Sequence, residues 1–320
     1  MSASEVAVGA ADFTGPLRDT GSPLEAATLN ALDRLQHVLT PQPTGADRFR
    51  ADNEAGRFGR IFGGQLVAQA MAAAAATVTG PSPHSIHAAF LRAGDCDAPL
   101  DIIVDRTRDG RSMSIRHVEV RQTGRTLLTA TVSFDTNPET ADATTEFNDT
   151  PQAHPLLQHW VQQAPPRLAQ RGSTWIVTPP PLEMRIAEAP VFLGGSQAPG
   201  ERTHWMRLPR DNDGGPVADA VLLAYATDYL LVDMALRSHP QRVGYGTHTG
   251  LTLDHAVWLH RPVQFDRWHA YTQQTVAVGG HRALVRGSIV DSTGRHVAST
   301  AQEVLIRPTD GAPARKAENQ

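Results

Sequence analysis

The stretch Ala218 to Leu236 reads ADAVLLAYATDYLLVDMAL, and nearly every residue in it is apolar, small or aromatic. Its apolar residues recur at spacings of three and four, as they do on one face of a helix. It contains no Gly or Pro, so the sequence predicts one unbroken helix. Its 19 residues match the length of a membrane span, but Asp219, Asp228 and Asp233 favour a helix buried in a soluble domain.

Asp228 lies inside the apolar part of this stretch. A carboxylate buried in a helix costs free energy unless a partner or a function keeps it there. We therefore expect Asp228 to be catalytic, with two later polar residues sharing its work. A structural carboxylate paired with a neighbour such as His255 is the alternative, and Asp254 is a rival candidate for the base.

Composition excludes several classes of function. The 320 residues suffice for one large or two medium domains. The chain carries 29 basic and 33 acidic residues, a formal charge of −4, with no basic block that would indicate a nucleic-acid partner. A single cysteine, Cys96, excludes an internal disulfide and fits a reducing compartment. Because no clustered Cys and His spacing occurs, we expect no metal site.

The two ends of the chain carry no targeting signal that we recognise. The N-terminal MSASEVAVGAADF lacks the basic and apolar regions of a secretory signal. The C-terminal KAENQ is not a peroxisomal address. We therefore expect a cytoplasmic protein without a membrane span.

Changes in composition divide the chain. Residues 1–23 and 309–320 are predicted to be flexible tails. Residues 136–180 are polar and rich in turn residues and proline, which indicates an interdomain linker. A first unit therefore occupies residues 24–135, and a second unit, expected to carry the active site, occupies residues 181–308.

The first unit combines one helix with a run of strands. The Ala-rich segment from Gln65 to Thr77 is a strong helix former. From Ser85 onward the hydrophobic pattern has a period of two, and turn residues such as Asp109-Gly110 separate the segments. One helix followed by antiparallel strands predicts an α+β unit.

The second unit repeats the first. The matching segments are IHAAFLR at 86–92 with DHAVWLH at 254–260, and QTGRTLLTATVSF at 122–134 with STGRHVASTAQEV at 292–304. The first pair has an offset of 168 (254 − 86 = 168) and places His87 opposite His255, which suggests a shared structural role; the second has an offset of 170 (292 − 122 = 170). This spacing indicates two copies of one fold, which could join their edges into one longer sheet.

Five ordered segments carry a family resemblance. These are FGGQLVAQA, HAAFLRAGD, LAYATDYLL, LDHAVWLHRP and VASTAQE. In sequence and order they are similar to the acyl-CoA thioesterase II family, from about Ala27 to Pro308. The resemblance implies a double hot-dog fold, in which each of two tandem units has a central helix wrapped by an antiparallel sheet.

The same resemblance implies a catalytic set of Asp228, Thr252 and Gln302. It implies that a water molecule activated by Asp228 hydrolyses fatty acyl-CoA to a free fatty acid and CoA, without a cofactor or metal. The partner is then an acyl-CoA substrate, and the chain is expected to form a homodimer or a higher homo-oligomer.

The first unit lacks this catalytic set. At the register of Gln302 it has Val132, and its Ala-rich helix contains no acid. We therefore expect one active site per chain, in the second unit. The backbone N–H groups of Gly63 and Gly64 could meet an anion or a carbonyl oxygen. An acyl chain also needs an apolar wall, for which Phe90, Leu91, Trp258 and Leu259 are candidates.

Two other functions remain open. A catalytically silent acyl-CoA-binding protein would need no buried acid, so Asp228 argues against it. A hot-dog hydratase or dehydratase would use a His and acid pair, which the Ala218–Leu236 stretch does not contain.

Overall fold

The computed structural model describes residues 13–54, 59–136, 149–166, 168, 174–241, 243 and 247–309. The helices in these ranges are α1 (Pro23–Val38), α2 (Gly63–Ala75), α3 (Leu157–Gln163), α4 (Thr174–Val177), α5 (Gly215–Ala226) and α6 (Leu231–Arg237), with 3-10 turns at Pro151–Ala153 and Val191–Leu193. None of these helices is long and apolar enough to cross a membrane.

The strands of the first unit are β1 (Gln42–Gly45), β2 (Arg48–Ala51), β3 (Ser82–Phe90), β4 (Leu100–Asp109), β5 (Met113–Gln122) and β6 (Arg125–Asp135). Those of the second are β7 (Glu183–Ile186), β8 (Arg202–Arg207), β9 (His248–Thr252), β10 (Asp254–Leu259), β11 (His269–Gly279), β12 (Arg282–Asp291) and β13 (His296–Pro308). The turn between β4 and β5 begins at Gly110, as predicted. The turn between β5 and β6 consists of Thr123 and Gly124, which both have positive φ.

One antiparallel sheet joins the two units. Its strand order is β1-β2-β4-β5-β6-β3-β10-β13-β12-β11-β8-β7, and β9 pairs with β13 off this path. The joint is the pairing of β3 with β10, in which Ala88 lies opposite His255 and His87 lies opposite Ala256. The units thus meet edge to edge, as the repeat predicts, and no strand edge is left open at the joint. The α+β double hot-dog architecture is confirmed.

The small side chains of α2 explain how a helix fits inside the curved sheet. Almost every residue of α2 from Gly64 to Ala74 is buried, whereas a helix at the protein surface buries only one face. The helix packs on β3, β4, β5 and β6 of its own unit and on α5 of the other. A helix buried on all sides needs small side chains so that the sheet and α5 can both approach it closely.

The register of the repeat differs from the expectation at one point. Ile86 in β3 and His255 in β10 both face the core, whereas His87 is exposed, so the core-facing offset is 169 (255 − 86 = 169) rather than 168. The pairing of His87 with His255 as equivalent residues is therefore wrong.

The expected equivalence of Val132 and Gln302 agrees with the strand pairing. In the first unit Val132 pairs with Ile86. In the second unit the pairing of Ala256 with Ala301 brings Gln302 beside His255.

The first expected tail is described only from residue 13 onward. There Phe13 and Leu17 are buried against Leu156. Arg18 donates to the carbonyl oxygens of Leu208 and Asp266. The remainder of that tail, and residues 310–320 of the second, lie outside the described residues.

Candidate active site

The predicted helix from Ala218 to Leu236 is broken at the residue of greatest interest. Helix α5 ends at Ala226, the chain turns through residues 227–230, and α6 begins at Leu231. Leu230 has a φ of 66°, in the left-handed region that non-glycine residues rarely adopt. Asp228 therefore lies in a turn between two helices, and the prediction of one continuous helix is wrong.

Side chains from the neighbouring sheet satisfy the carbonyl groups that this break releases. The Tyr271 hydroxyl donates to the Thr227 carbonyl oxygen at 2.9 Å, and the Gln273 amide donates to the Tyr229 carbonyl oxygen at 2.8 Å. The Leu230 carbonyl oxygen, which already accepts the Met234 N–H of α6 at 2.7 Å, also accepts the Arg202 guanidinium at 3.3 Å. Because buried carbonyl groups need partners, these bonds make the broken form of the helix the stable one.

Asp233, the next acid along the stretch, has a structural environment. Its side chain is 2% exposed and forms an ion pair with Arg202 at 2.7 Å. It also accepts the backbone N–H groups of Val191 and Phe192 at 3.1 and 2.9 Å. This carboxylate therefore anchors the 3-10 turn at Val191–Leu193 against α6.

Asp228 receives a hydrogen bond from the first unit. The backbone N–H of Gly64, in the first turn of α2, donates to its Oδ2 at 2.9 Å. The positive end of the α2 dipole therefore lies against a carboxylate supplied by the second unit. Gly63 leaves room for this approach, because a Cβ atom there would lie 2.7 Å from Asp228 Oδ2. Gly63-Gly64 thus has a partner that the sequence did not identify.

Burial sets the acidity of Asp228. The side chain is 8% exposed, and desolvation raises its pKa from 3.8 to about 7. The Gly64 N–H, the Gln302 amide, the charge of Arg60 and the Thr252 hydroxyl each lower that pKa and limit the rise. A carboxylate with a pKa near neutrality can both accept and return a proton at physiological pH.

Thr252 and Gln302 lie together beside Asp228. The Gln302 amide donates to the Thr252 hydroxyl oxygen at 3.0 Å, which leaves the hydroxyl proton of Thr252 to donate elsewhere. Both side chains lower the pKa of Asp228. Among the described residues, Asp228 Oδ1 and Gln302 Oε1 are buried without a hydrogen-bond partner. The three residues expected to form the site are thus brought to one place.

The two alternative partners have other contacts. His255 Nε2 lies 2.8 Å from the Thr227 hydroxyl, which itself donates to the Ala224 carbonyl oxygen, so His255 is the donor to Thr227. Burial lowers the pKa of His255 to about 4, which keeps the ring neutral at pH 7. Asp254 is exposed, and its Oδ1 accepts the Glu303 backbone N–H at 2.8 Å. His255 is thus bonded to Thr227 rather than to Asp228, and the Asp254 carboxylate is bonded to the backbone at the surface.

A cavity of about 750 Å³ adjoins Asp228. Phe90 and Leu91 line it, as expected, and so does Thr252. Two other expected wall residues do not: Leu259 is buried in the core, and the Trp258 ring packs on exposed His87 at 5.1 Å. Alternate residues of a strand face opposite sides of the sheet, which explains why Trp258 lies on the outer face while Leu259 faces the core.

The cavity also contains residues that the sequence did not indicate. They are exposed Arg60, buried Trp175 and half-buried Phe192, and exposed Arg92 lines the cavity as well. Trp175 and Phe192 lie between the two repeated segments, where no repeat, motif or periodicity marks them.

Comparison with known proteins identifies the family of this chain. The model of the acyl-CoA thioesterase N-terminal domain matches residues 52–135, and that of the acyl-CoA thioesterase C-terminal domain matches residues 138–306. Acyl-CoA thioesterase 2 of Haemophilus influenzae is 30% identical over 290 residues, which cover 86% of this chain and 98% of that protein. Acyl-coenzyme A thioesterase 8 of Rattus norvegicus is 30% identical over 259 residues, 78% of this chain and 80% of that protein.

Solved structures agree with these sequence relatives. The tesB protein of Mycobacterium avium subs paratuberculosis has a TM-score of 0.71 and 27% identity, covering 87% of this chain and 100% of that one. Acyl-CoA thioesterase II TesB2 from Mycobacterium marinum has a TM-score of 0.69 and 28% identity, covering 87% of this chain and 99% of that one. Since both domain models match in order, and one relative is matched almost end to end, the chain belongs to the acyl-CoA thioesterase family, a family of thioester hydrolases.

Proposed function

We propose that this chain hydrolyses fatty acyl-CoA thioesters to a free fatty acid and CoA, through a water molecule activated by Asp228. One observation carries this proposal. A buried carboxylate adjoins a cavity with one oxygen held by the N-terminus of α2, while the other has no partner among the described residues. A buried acceptor of this kind needs a hydrogen-bond donor, and a reacting water molecule is a suitable one.

The reaction uses the ionised form of Asp228. The carboxylate accepts a proton from the water as its oxygen attacks the thioester carbonyl carbon. The Thr252 hydroxyl and the Gln302 amide orient that water, while the Gly64 N–H holds the Asp228 carboxylate in place. Collapse of the tetrahedral intermediate breaks the C–S bond, and the CoA thiolate leaves and takes up a proton. Asp228 then returns its proton to solvent.

The lining of the cavity suits both parts of this substrate. Arg60 and Arg92 are exposed and offer guanidinium groups, which bind phosphate well, for the phosphates of CoA. Leu66 and Tyr229 are buried, and they provide an apolar surface for the acyl chain. The scissile bond then lies near Asp228, between them.

The two alternatives have less support. A silent binding protein would gain nothing from a buried carboxylate whose pKa is raised to about 7. A hydratase or dehydratase would need an acid and a histidine that act on the same carbon atoms. The buried histidine here, His255, is turned toward Thr227.

We also propose, from the family resemblance, that the chain forms a homodimer or higher homo-oligomer and acts in the cytoplasm. Light scattering during gel filtration tests the first proposal, since a mass of one chain would contradict it. Fractionation of the source cells tests the second.

The test of the reaction is Asp228→Asn, which keeps the shape of the side chain and removes the base. Release of free thiol from octanoyl-CoA and palmitoyl-CoA is measured for the parent and the variant. We expect kcat to fall by about 10² to 10⁴ with little change in KM. Asp254→Asn is the matched control and should retain at least about a third of the parent rate. Parent-level hydrolysis by Asp228→Asn would contradict the assignment of the base.

A further inference from the structure

Aromatic rings from three separate segments lie together in the lining of the cavity. Trp175 belongs to α4, Phe192 to the 3-10 turn at Val191–Leu193, and Tyr229 to the break between α5 and α6. All three line the cavity, as does Phe62 at the start of α2. Neither α4 nor the 3-10 turn belongs to one of the matched segments at 86–134 and 254–304.

The four rings form a continuous row. The centroid of Trp175 lies 5.2 Å from that of Phe192 and 5.9 Å from that of Tyr229, and Tyr229 lies 4.8 Å from Phe62. Such distances are those of contacting aromatic pairs. Trp175 is only 6% exposed, so its ring lines the cavity from the protein interior.

This wall is held rigidly in place. Phe192 is fixed through its backbone N–H, which donates to Asp233 at 2.9 Å, and Asp233 is itself paired with Arg202. The backbone carbonyl of Trp175 accepts the amide of buried Gln158 at 3.3 Å. A wall anchored by a buried ion pair cannot move aside cheaply, because separating that pair would leave a charge buried without a partner.

We propose that Trp175 and Phe192 form the end wall of the acyl-chain site and set the longest acyl chain that the enzyme hydrolyses efficiently. This inference rests on the proposed hydrolysis of fatty acyl-CoA. An acyl chain whose carbonyl lies at Asp228 can bury further methylene groups only until its terminal methyl meets these rings. Up to that length each added methylene contributes about fourfold to binding, and beyond it the chain must bend or stay partly in water.

The experiment enlarges this end of the cavity. Thiol release is measured with butanoyl-CoA, octanoyl-CoA and palmitoyl-CoA for the parent, Trp175→Ala and Phe192→Ala. We expect each variant to raise the ratio of kcat/KM for palmitoyl-CoA over octanoyl-CoA by about tenfold or more. Trp258→Ala is the matched control, because Trp258 lies on the opposite face of the sheet against His87, and its ratio should match that of the parent.

If Trp175→Ala does not fold, Trp175→Phe keeps the inference testable. Its ratio of kcat/KM for palmitoyl-CoA over octanoyl-CoA should lie between those of the parent and Phe192→Ala. Ratios within twofold of the parent in every folded variant would overturn the inference while leaving the proposed hydrolysis intact. If the parent releases thiol from none of the three substrates, the proposed function fails on its own. The wall is then tested by calorimetric titration with octanoate and palmitate, where Phe192→Ala should favour palmitate and an unchanged preference would overturn it.

Discussion

Asp228 is subject to two opposing effects, because the burial that makes it a useful base also makes its charge costly. Its pKa is raised from 3.8 to about 7 in the folded protein. Between these values the folded state binds more protons than the unfolded state, so stability falls as pH rises. A difference of about 3 in pKa corresponds to roughly 4 kcal/mol at full ionisation. The same ionisation produces the active base, so activity should rise as stability falls.

We therefore expect kcat/KM to increase with pH, with a midpoint at about pH 7. Over the range from about pH 4 to pH 8, Asp228→Asn should gain up to roughly 4 kcal/mol of unfolding free energy relative to the parent. Urea titrations at several pH values measure the second effect, and Asp254→Asn provides the control. A parent and an Asp228→Asn variant whose stabilities run parallel in pH would contradict the raised pKa.

Two substitutions of Thr252 test whether its hydroxyl group or the shape of its side chain matters for catalysis. Thr252→Val keeps the branched side chain but leaves the Gln302 amide without the acceptor that it now has at 3.0 Å. We expect kcat to fall by about 10- to 100-fold, with KM nearly unchanged. Thr252→Ser retains the hydroxyl and should keep most of the activity. Equal losses in the two variants would show that shape, not hydrogen bonding, matters at this position.

At the scale of elements, the site depends on how closely α2 approaches α5. A Cβ atom on Gly64 would lie 2.2 Å from the Tyr225 carbonyl oxygen, which is backbone and cannot rotate away. Gly64→Ala should therefore force the helices apart, lower the free energy of unfolding by about 3 kcal/mol and move the N–H donor away from Asp228.

Urea unfolding and thiol release together check this expectation. The control is Gly279→Ala, since a Cβ atom there meets nothing within 4 Å. It should change the stability by less than about 0.5 kcal/mol. Wild-type stability and activity in Gly64→Ala would show that the two helices do not need their present separation.

The helix break shows where prediction from the sequence ends. The Ala-rich helix α2 and the strands that follow Ser85 are predicted from local patterns, and the three site residues together follow from the family resemblance. The break at residues 227–230 has no Gly or Pro to announce it. It is stabilised by Tyr271 and Gln273, each 44 residues away from the carbonyl group that it binds. Tertiary contacts at this distance override the local preference for a helix.

The repeat register shows a second limit of the same kind. Matching letters placed His87 opposite His255, but a slip of one residue in a strand moves a side chain to the other face of the sheet. His87 is exposed and His255 is 1% exposed, so identical residues have opposite surroundings. The position equivalent to His255 is Ile86, an apolar residue. Sequence similarity between the repeats therefore located the strands correctly but not the orientation of every side chain.

At the scale of the whole molecule, the two units contribute different parts of the proposed site. The second unit provides Asp228, and the first provides the helix N-terminus that binds it. The first unit has Val132 where the second has Gln302, so the mirrored site cannot contain the same polar group. Once the two copies were joined in one chain, each could specialise, one toward the acid and the other toward the donor.

The core and the sheet that the two units share predict that the units unfold together. A single hydrophobic core runs from Leu32 in α1 to Ile306 in β13, and β3 pairs with β10 across the joint. Neither unit can unfold without exposing the core face of the other, so calorimetry should show one transition, with a van't Hoff enthalpy close to the calorimetric enthalpy. Ala256→Pro places a proline in a central strand at the joint, which removes a ladder hydrogen bond. We expect it to cost about 3 kcal/mol and to lower one transition as a whole, whereas two separate transitions would contradict a shared core.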